Sequence, residues 1–289
     1  MEKVIKTHSE ITPDTTEIKL YSQRIRDLRR YNQITKISLC DYIDTNIKYP
    51  PNLTHLTLGY KYNQLLKLPE NLTHLTLGFE YNQLLKLPEN LTHLTLGYKY
   101  NQLLKLPENL THLTLGYVYN KLLKLPENLT HLTLGFEYYQ LLKLPENLTY
   151  LTLGKFYDKH IELPENLTHL TIGDCYQQMN DIPLSITYLK LERKNTIIDC
   201  LHNGIEHLVL GYNYFSKIQD LPSSLKILDA TDASYELNFN CLPYFLEELY
   251  LPYCYYDKIH NIPHGLKLLK CCKDYKYQDD FKDCKIEYY

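Results

Sequence analysis

Residues 53–71 read LTHLTLGYKYNQLLKLPEN, and the leading leucine returns every 19 residues, at Leu53, Leu72, Leu91, Leu110, Leu129, Leu148 and Leu167. A fixed short period constrains a fold more than any composition, because each unit is too small to bury its own apolar face and must stack on its neighbours. The register continues in degenerate form at Ile186, Ile205, Leu225, Leu246 and Leu266, and backwards at Ile34 and Thr15, giving 14 starts. Nearly the whole 289-residue chain is one array.

Each unit carries L-x-x-L-x-L, as at Leu53, Leu56 and Leu58. Leu56 and Leu58 alternate with Thr57, the period of a strand. The spacing predicts a strand of about five residues that takes in the Thr73-type position, then Gly59, a polar-aromatic stretch and a turn at Leu68-Pro69-Glu70-Asn71. In that turn Pro69 suits position i+1 and Asn71 the far end. Nineteen residues leave no room for a helix after the strand and turn. The expected fold is therefore an all-β-leaning repeat solenoid: a leucine-rich-repeat-like, right-handed parallel β solenoid of about 14 units with little or no convex helix. Residues 1–14 form an N-terminal cap segment, 15–271 the array, and 272–289 a C-terminal cap or tail.

The period also accounts for an apparent glycosylation signal. N-x-T occurs at Asn52, Asn71, Asn90, Asn109, Asn128, Asn147 and Asn166. Glycans on one edge at every rung, about 4.8 Å apart, could not all fit. The triplet follows from repeating the turn PENLT. The start MEKVIKTHSEITPD has no apolar run of signal-peptide length, and no stretch reaches the roughly 18 apolar residues of a membrane span. The chain is accordingly expected to be intracellular and cytoplasmic, with its eight cysteines, Cys200 among them, as reduced thiols. A net charge of −3 gives no basic excess to argue for nucleic acid.

Columns of identical residues are the candidate sites. His55, His74, His93, His112, His131, His169 and His207 are out of phase with the buried leucines and face the open, concave side of the sheet; Tyr150 and Tyr188 interrupt them. The plain reading is a solvated column that stacks and hydrogen-bonds with its neighbours; a partner-binding stripe is the functional one. A zinc ladder is a weaker reading, because two nitrogens on one tetrahedral zinc need to lie about 3.3 Å apart. Tyr60, Phe79, Tyr98, Tyr117 and Phe136 border the same face as possible binding anchors. Asn63, Asn82, Asn101 and Asn120 form a side-chain ladder on backbone groups. Lys67, Lys86, Lys105, Lys124 and Lys143 face Glu70, Glu89, Glu108, Glu127, Glu146 and Glu165 as a self-neutralising flank. No G-x-S-x-G, P-loop or H-E-x-x-H breaks the period, so neither an enzyme nor a cofactor is expected.

The stretch LPENLTHLTLGYKYNQLLK resembles the FNIP repeat, a leucine-rich-repeat-like unit of social amoebae and of giant viruses that infect amoebae. Tyr62-Asn63-Gln64, Tyr81-Asn82-Gln83 and Tyr100-Asn101-Gln102 occupy the F-N-Q slot of that family. The resemblance is most specific over 50–173. It implies that the column Tyr62, Tyr81, Tyr100, Tyr119, Tyr138, Tyr157 and Tyr176 is core. It also implies a non-catalytic protein-protein interaction scaffold of viral kind with an unknown, host-encoded protein partner; the charge and the lack of long apolar runs add the expectation of neither a nucleic-acid nor a membrane partner. The alternative is a structural or surface array with no tuned site, since units 53–148 are nearly identical; a tuned site would then sit in the varied units from Ile186 to Leu266.

Overall fold

The computed structural model describes residues 3–176, 182–192, 201–212, 214, 218, 220–234 and 236–289. Cys200 lies outside them. The chain divides into two units, residues 1–148 and 149–289.

The first unit contains β1 (Lys3–Ile5), β2 (Glu17–Leu20), β3 (Lys36–Leu39), β4 (His55–Thr57), β5 (His74–Thr76), β6 (His93–Thr95), β7 (His112–Thr114) and β8 (His131–Thr133). Each pairs in parallel with the next, and from β4 onward like residues are in register: His55 with His74, Leu56 with Leu75, Thr57 with Thr76. The second unit contains β9 (Tyr150–Thr152), β10 (His169–Ile172), β11 (Tyr188–Leu191), β12 (His207–Leu210), β13 (Ile227–Asp229), β14 (Glu248–Tyr250), β15 (Leu268–Cys271) and β16 (Lys285–Tyr288), also parallel in chain order. The only helical pieces among the described residues are single 3-10 turns at His8–Glu10 and Gln278–Asp280. This is a parallel β solenoid. Two of its strands, β1 and β16, come from the segments flanking the 14 repeat starts.

The core is built from three leucines and a tyrosine per rung: in one rung Leu53, Leu56, Leu58 and Tyr62 are all buried. The strands are shorter than expected, three or four residues, because the pleat is needed only where Leu56 points in and His55 and Thr57 point out. Thr54 and Thr73 precede their strands. The turn also differs in register. Leu72 N donates to Pro69 O at 3.1 Å, so proline occupies position i and Glu70 and Asn71 the two central places. A second turn, Tyr62 N to Gly59 O at 3.2 Å, folds the tyrosine back under the sheet.

Both polar residues of each N-x-T triplet bond from rung to rung. Asn90 Nδ2 donates to Glu70 O and Asn109 Nδ2 to Glu89 O, each at 2.9 Å. Thr73 Oγ1 donates to Thr54 O at 3.0 Å. The triplet's periodicity is the periodicity of these bonds. The seven described cysteines form no disulfide, and no helix among the described residues is long and apolar enough to cross a membrane.

Candidate functional site

The histidine column is a continuous stack. In the first unit, consecutive rings from His55 to His131 lie 4.0 or 4.1 Å apart, with planes within 15° of parallel. Each ring is half-buried. The threonine before each histidine fixes its tautomer. Thr54 Oγ1 donates its single proton to Thr35 O at 3.0 Å, so its 2.8 Å contact with His55 Nδ1 must be donated by the ring. The same pair of bonds recurs at Thr73–His74, Thr92–His93, Thr111–His112 and Thr130–His131, and in the second unit at Thr168–His169. With the proton on Nδ1, every Nε2 is a bare acceptor.

These imidazoles resist protonation. Burial lowers the pKa of His55, His74, His93, His112 and His169, and charge repulsion from neighbouring histidines adds to it at His55, His74 and His93; His93, inside the stack, falls to about 4. Burial is the larger cause at each of them. At His55, Lys36 lowers the value further and Glu17 opposes it.

The stack also bears on the metal reading. A ligated metal lies in the plane of each imidazole that holds it, and neighbouring planes here run nearly parallel, so one ion cannot lie in two of them. Among the described residues no group of three or more His, Cys, Asp or Glu could hold a metal.

The aromatic column behaves alike. Tyr60, Phe79, Tyr98, Tyr117 and Phe136 stack at 4.4–4.6 Å, partly exposed. Their faces are occupied by one another, so only ring edges reach solvent. The column Tyr62, Tyr81, Tyr100, Tyr119, Tyr138 and Tyr157 is fully buried, as the resemblance implied. Its rings are spaced 6.1–6.4 Å apart from Tyr62 to Tyr138. Strands are about 4.8 Å apart, so rungs of the first unit crowd together on the histidine side and spread on the Tyr62 side. Over this stretch the histidines line the inside of a bend.

In the second unit the column loses its uniformity. His169 stacks between Tyr150 at 4.0 Å and Tyr188 at 5.3 Å. His207 meets Tyr188 edge-on at 4.7 Å, and Glu206 stands where a threonine would lock its tautomer. Burial lowers its pKa against the pull of Asp229 and Glu248.

The asparagine ladder forms as expected: Asn82 N donates to Asn63 Oδ1 and Asn101 N to Asn82 Oδ1, both at 3.0 Å. Among the described residues the Lys67-type column makes no ion pair within 4.0 Å, so the lysine and glutamate columns act on each other at longer range. One feature was not legible from the pattern. Leu65, Leu84, Leu103, Leu122 and Leu141 are more than 60% exposed, although their spacing matches that of the core leucines. They lie on the irregular stretch after Tyr62, outside the strands.

The FNIP Repeat family profile matches residues 46–80, 62–99, 81–117, 100–137, 119–156 and 138–175. The chain carries FNIP repeats. Among solved structures, the chain is similar to CroV588, a circular LRR protein, at 30% identity and a TM-score of 0.72, over 93% of this chain and 45% of that one. The chain thus spans less than half the length of CroV588. YopM from Yersinia enterocolitica aligns at 19% identity and a TM-score of 0.44, over 89% of this chain and 81% of that one. None of the curated proteins compared matches the sequence.

Proposed function

We propose that the FNIP array is a non-catalytic scaffold that binds another protein inside the cell through the inner face of the first unit. The observation that carries this reading is the row of neutral, half-exposed imidazoles, each with Nε2 turned into an acceptor by its threonine. Such a row suits a partner that offers hydrogen-bond donors at the rung spacing. It does not suit one that inserts aromatic rings, because the ring faces are already covered by stacking. His55, His74, His93 and His112, bordered by Tyr60, Phe79, Tyr98 and Tyr117, are the proposed contact residues; His131 and Phe136 extend them within the first unit, and His169 and His207 are the candidates of the second unit taken by itself. The family resemblance favours a viral chain engaging a host-encoded protein.

Replacing His74, His93 and His112 with Phe keeps the stack and removes the acceptors. Pull-downs from amoebal lysate with the full chain and this triple variant, read by mass spectrometry, test the assignment. A partner captured by the parent and lost from the variant supports it; a partner retained by both places binding elsewhere. Enrichment of nothing by the parent favours the second reading, a structural array. That reading draws on the near-identity of the units over 53–148, since a site for an irregular protein surface needs unlike residues along its length.

A further inference from the structure

Four of the chain's five arginines, Arg24, Arg26, Arg29 and Arg30, fall within seven residues, in a protein that otherwise uses lysine. They sit on the turn after β2. There a cavity of about 710 Å³ is lined by Arg26, Asp27, Arg29, Lys48, Tyr49 and Lys67. That volume is in the range of small-molecule sites.

The backbone holds this cluster together. Lys48 N donates to Arg26 O and Leu28 N donates to Lys48 O, both at 2.9 Å, tying two successive turns side by side. Arg29 grips Asp27 with two bonds, Nε to Oδ1 at 3.0 Å and Nη2 to Oδ2 at 2.6 Å. That uses the single carboxylate of the lining. Among the described residues Arg26, Lys48 and Lys67 make no ion pair within 4.0 Å, so three positive charges face a cavity whose one carboxylate, Asp27, is bound to Arg29 and only acted on at longer range by Lys48. The glutamate column that faces the lysines starts only at Glu70, so Lys48 has no counterpart in it. Lys48 precedes Lys67 by one 19-residue step, but the residue one step before Glu70 is Pro51. The floor is Tyr49, buried and held neutral by that burial.

We propose that this cavity binds a diphosphate-bearing anion. One phosphoryl group carries about −1.5 to −2 charges and would leave part of the cationic set unmatched; a linked second one adds about −1, and a total of roughly −3 meets all three cations. The guanidinium of Arg26 offers the planar fork that grips phosphate oxygens, and the lysines act as point charges beside it. The chemistry is shared by inorganic pyrophosphate and by a nucleoside diphosphate.

Isothermal titration calorimetry of the full chain with pyrophosphate at low salt tests the site, because phosphate contacts weaken as salt rises. The expected result is saturable one-to-one binding that Arg26→Gln and Lys67→Gln each weaken about tenfold or more. Lys105→Gln, in the same column but outside the cavity lining, should leave binding unchanged, and circular dichroism should show all three variants folded. Absence of saturable binding overturns the proposal. So does an equal loss in Lys105→Gln, which would mean column-wide attraction, or orthophosphate binding as tightly as pyrophosphate. ADP binding more tightly than pyrophosphate would identify a nucleotide site, and equal affinity a site for the diphosphate group alone.

Discussion

Residues 53–148 and residues 149–289 use the same strand-and-turn frame and satisfy it differently. In the first stretch each outward position repeats one residue type, so every local contact becomes a ladder: stacked imidazoles, threonine to carbonyl, asparagine to backbone. In the second the corresponding positions read Tyr150, His169, Tyr188, His207, Ile227, Glu248 and Leu268. There polar groups are settled pair by pair. Tyr250 Oη donates to Glu248 at 2.6 Å, Lys226 pairs with Glu206 at 2.9 Å, and Lys267 pairs with Glu247 at 2.8 Å. The difference teaches that exact repetition multiplies a good contact but multiplies a defect as well. Tyr81, Tyr100 and Tyr119 each bury a hydroxyl with no hydrogen-bond partner. In the second unit the buried Tyr275 finds a carbonyl, Asp257 O, at 3.0 Å.

The comparison breaks most severely if the register is cut. Deleting residues 91–109 removes one whole rung and should leave a folded protein, because the new neighbours are the same residues. Deleting 91–100 alone should abolish cooperative melting, since every strand beyond the cut would face the wrong partner. Circular dichroism melts of the two deletions decide it, and equal damage from both would argue against rung-by-rung stacking.

Next in size is the glycine after the strand. A Cβ on Gly97 would lie 1.9 Å from Gly78 O, whereas at Gly211 the nearest atom, Glu192 Cα, is 3.0 Å away. None of the described glycines has positive φ, so the demand is closeness of rungs and not backbone twist. Gly97→Ala should cost about 3 kcal/mol or more and Gly211→Ala about 1 kcal/mol. Urea unfolding curves would measure both, and equal costs would mean the identical rungs are no more tightly stacked than the varied ones.

Acid should loosen the first unit next. Its histidines bind protons less readily when folded than the unfolded value of about 6.5. The unfolded chain therefore takes up more protons as pH falls, and stability is lost from about pH 6.5 downward, towards the folded value of about 4 at His93. Partial exposure and salt reduce the size of the effect. Replacing His74, His93 and His112 with Gln should flatten the melting profile between pH 7 and 5. An unchanged slope would show that the stack is not the acid-sensitive element.

The smallest effect distinguishes the two tyrosine environments. Tyr81→Phe should stabilise by about 1 kcal/mol by removing an unpartnered hydroxyl, while Tyr275→Phe should destabilise by about as much through its lost bond. Differential scanning calorimetry of the two variants should show shifts of opposite sign; a loss at Tyr81 would mean its hydroxyl has a partner.

The sequence alone determined the solenoid and the parallel register, because a 19-residue step admits one way of stacking leucine faces; the burial of the Tyr62 column was what the FNIP resemblance implied. It also determined which residues share a column. It did not determine what each column does. His55 and Leu65 recur with the same period, yet one becomes a half-buried, tautomer-locked stack and the other an exposed ridge. The reason is that a column's spacing in space depends on where it lies across the bend of the rungs: imidazoles on the inside close to 4.0 Å, while core tyrosines open to more than 6 Å. Nor did the period by itself reveal the arginine cavity: Arg29, Lys48 and Lys67 share one column, but Arg26 comes from another position and is brought to them by the bond from Lys48 N to Arg26 O. Periodicity is a property of the chain, but distances between columns are a property of the folded rung, and chemistry depends on distances.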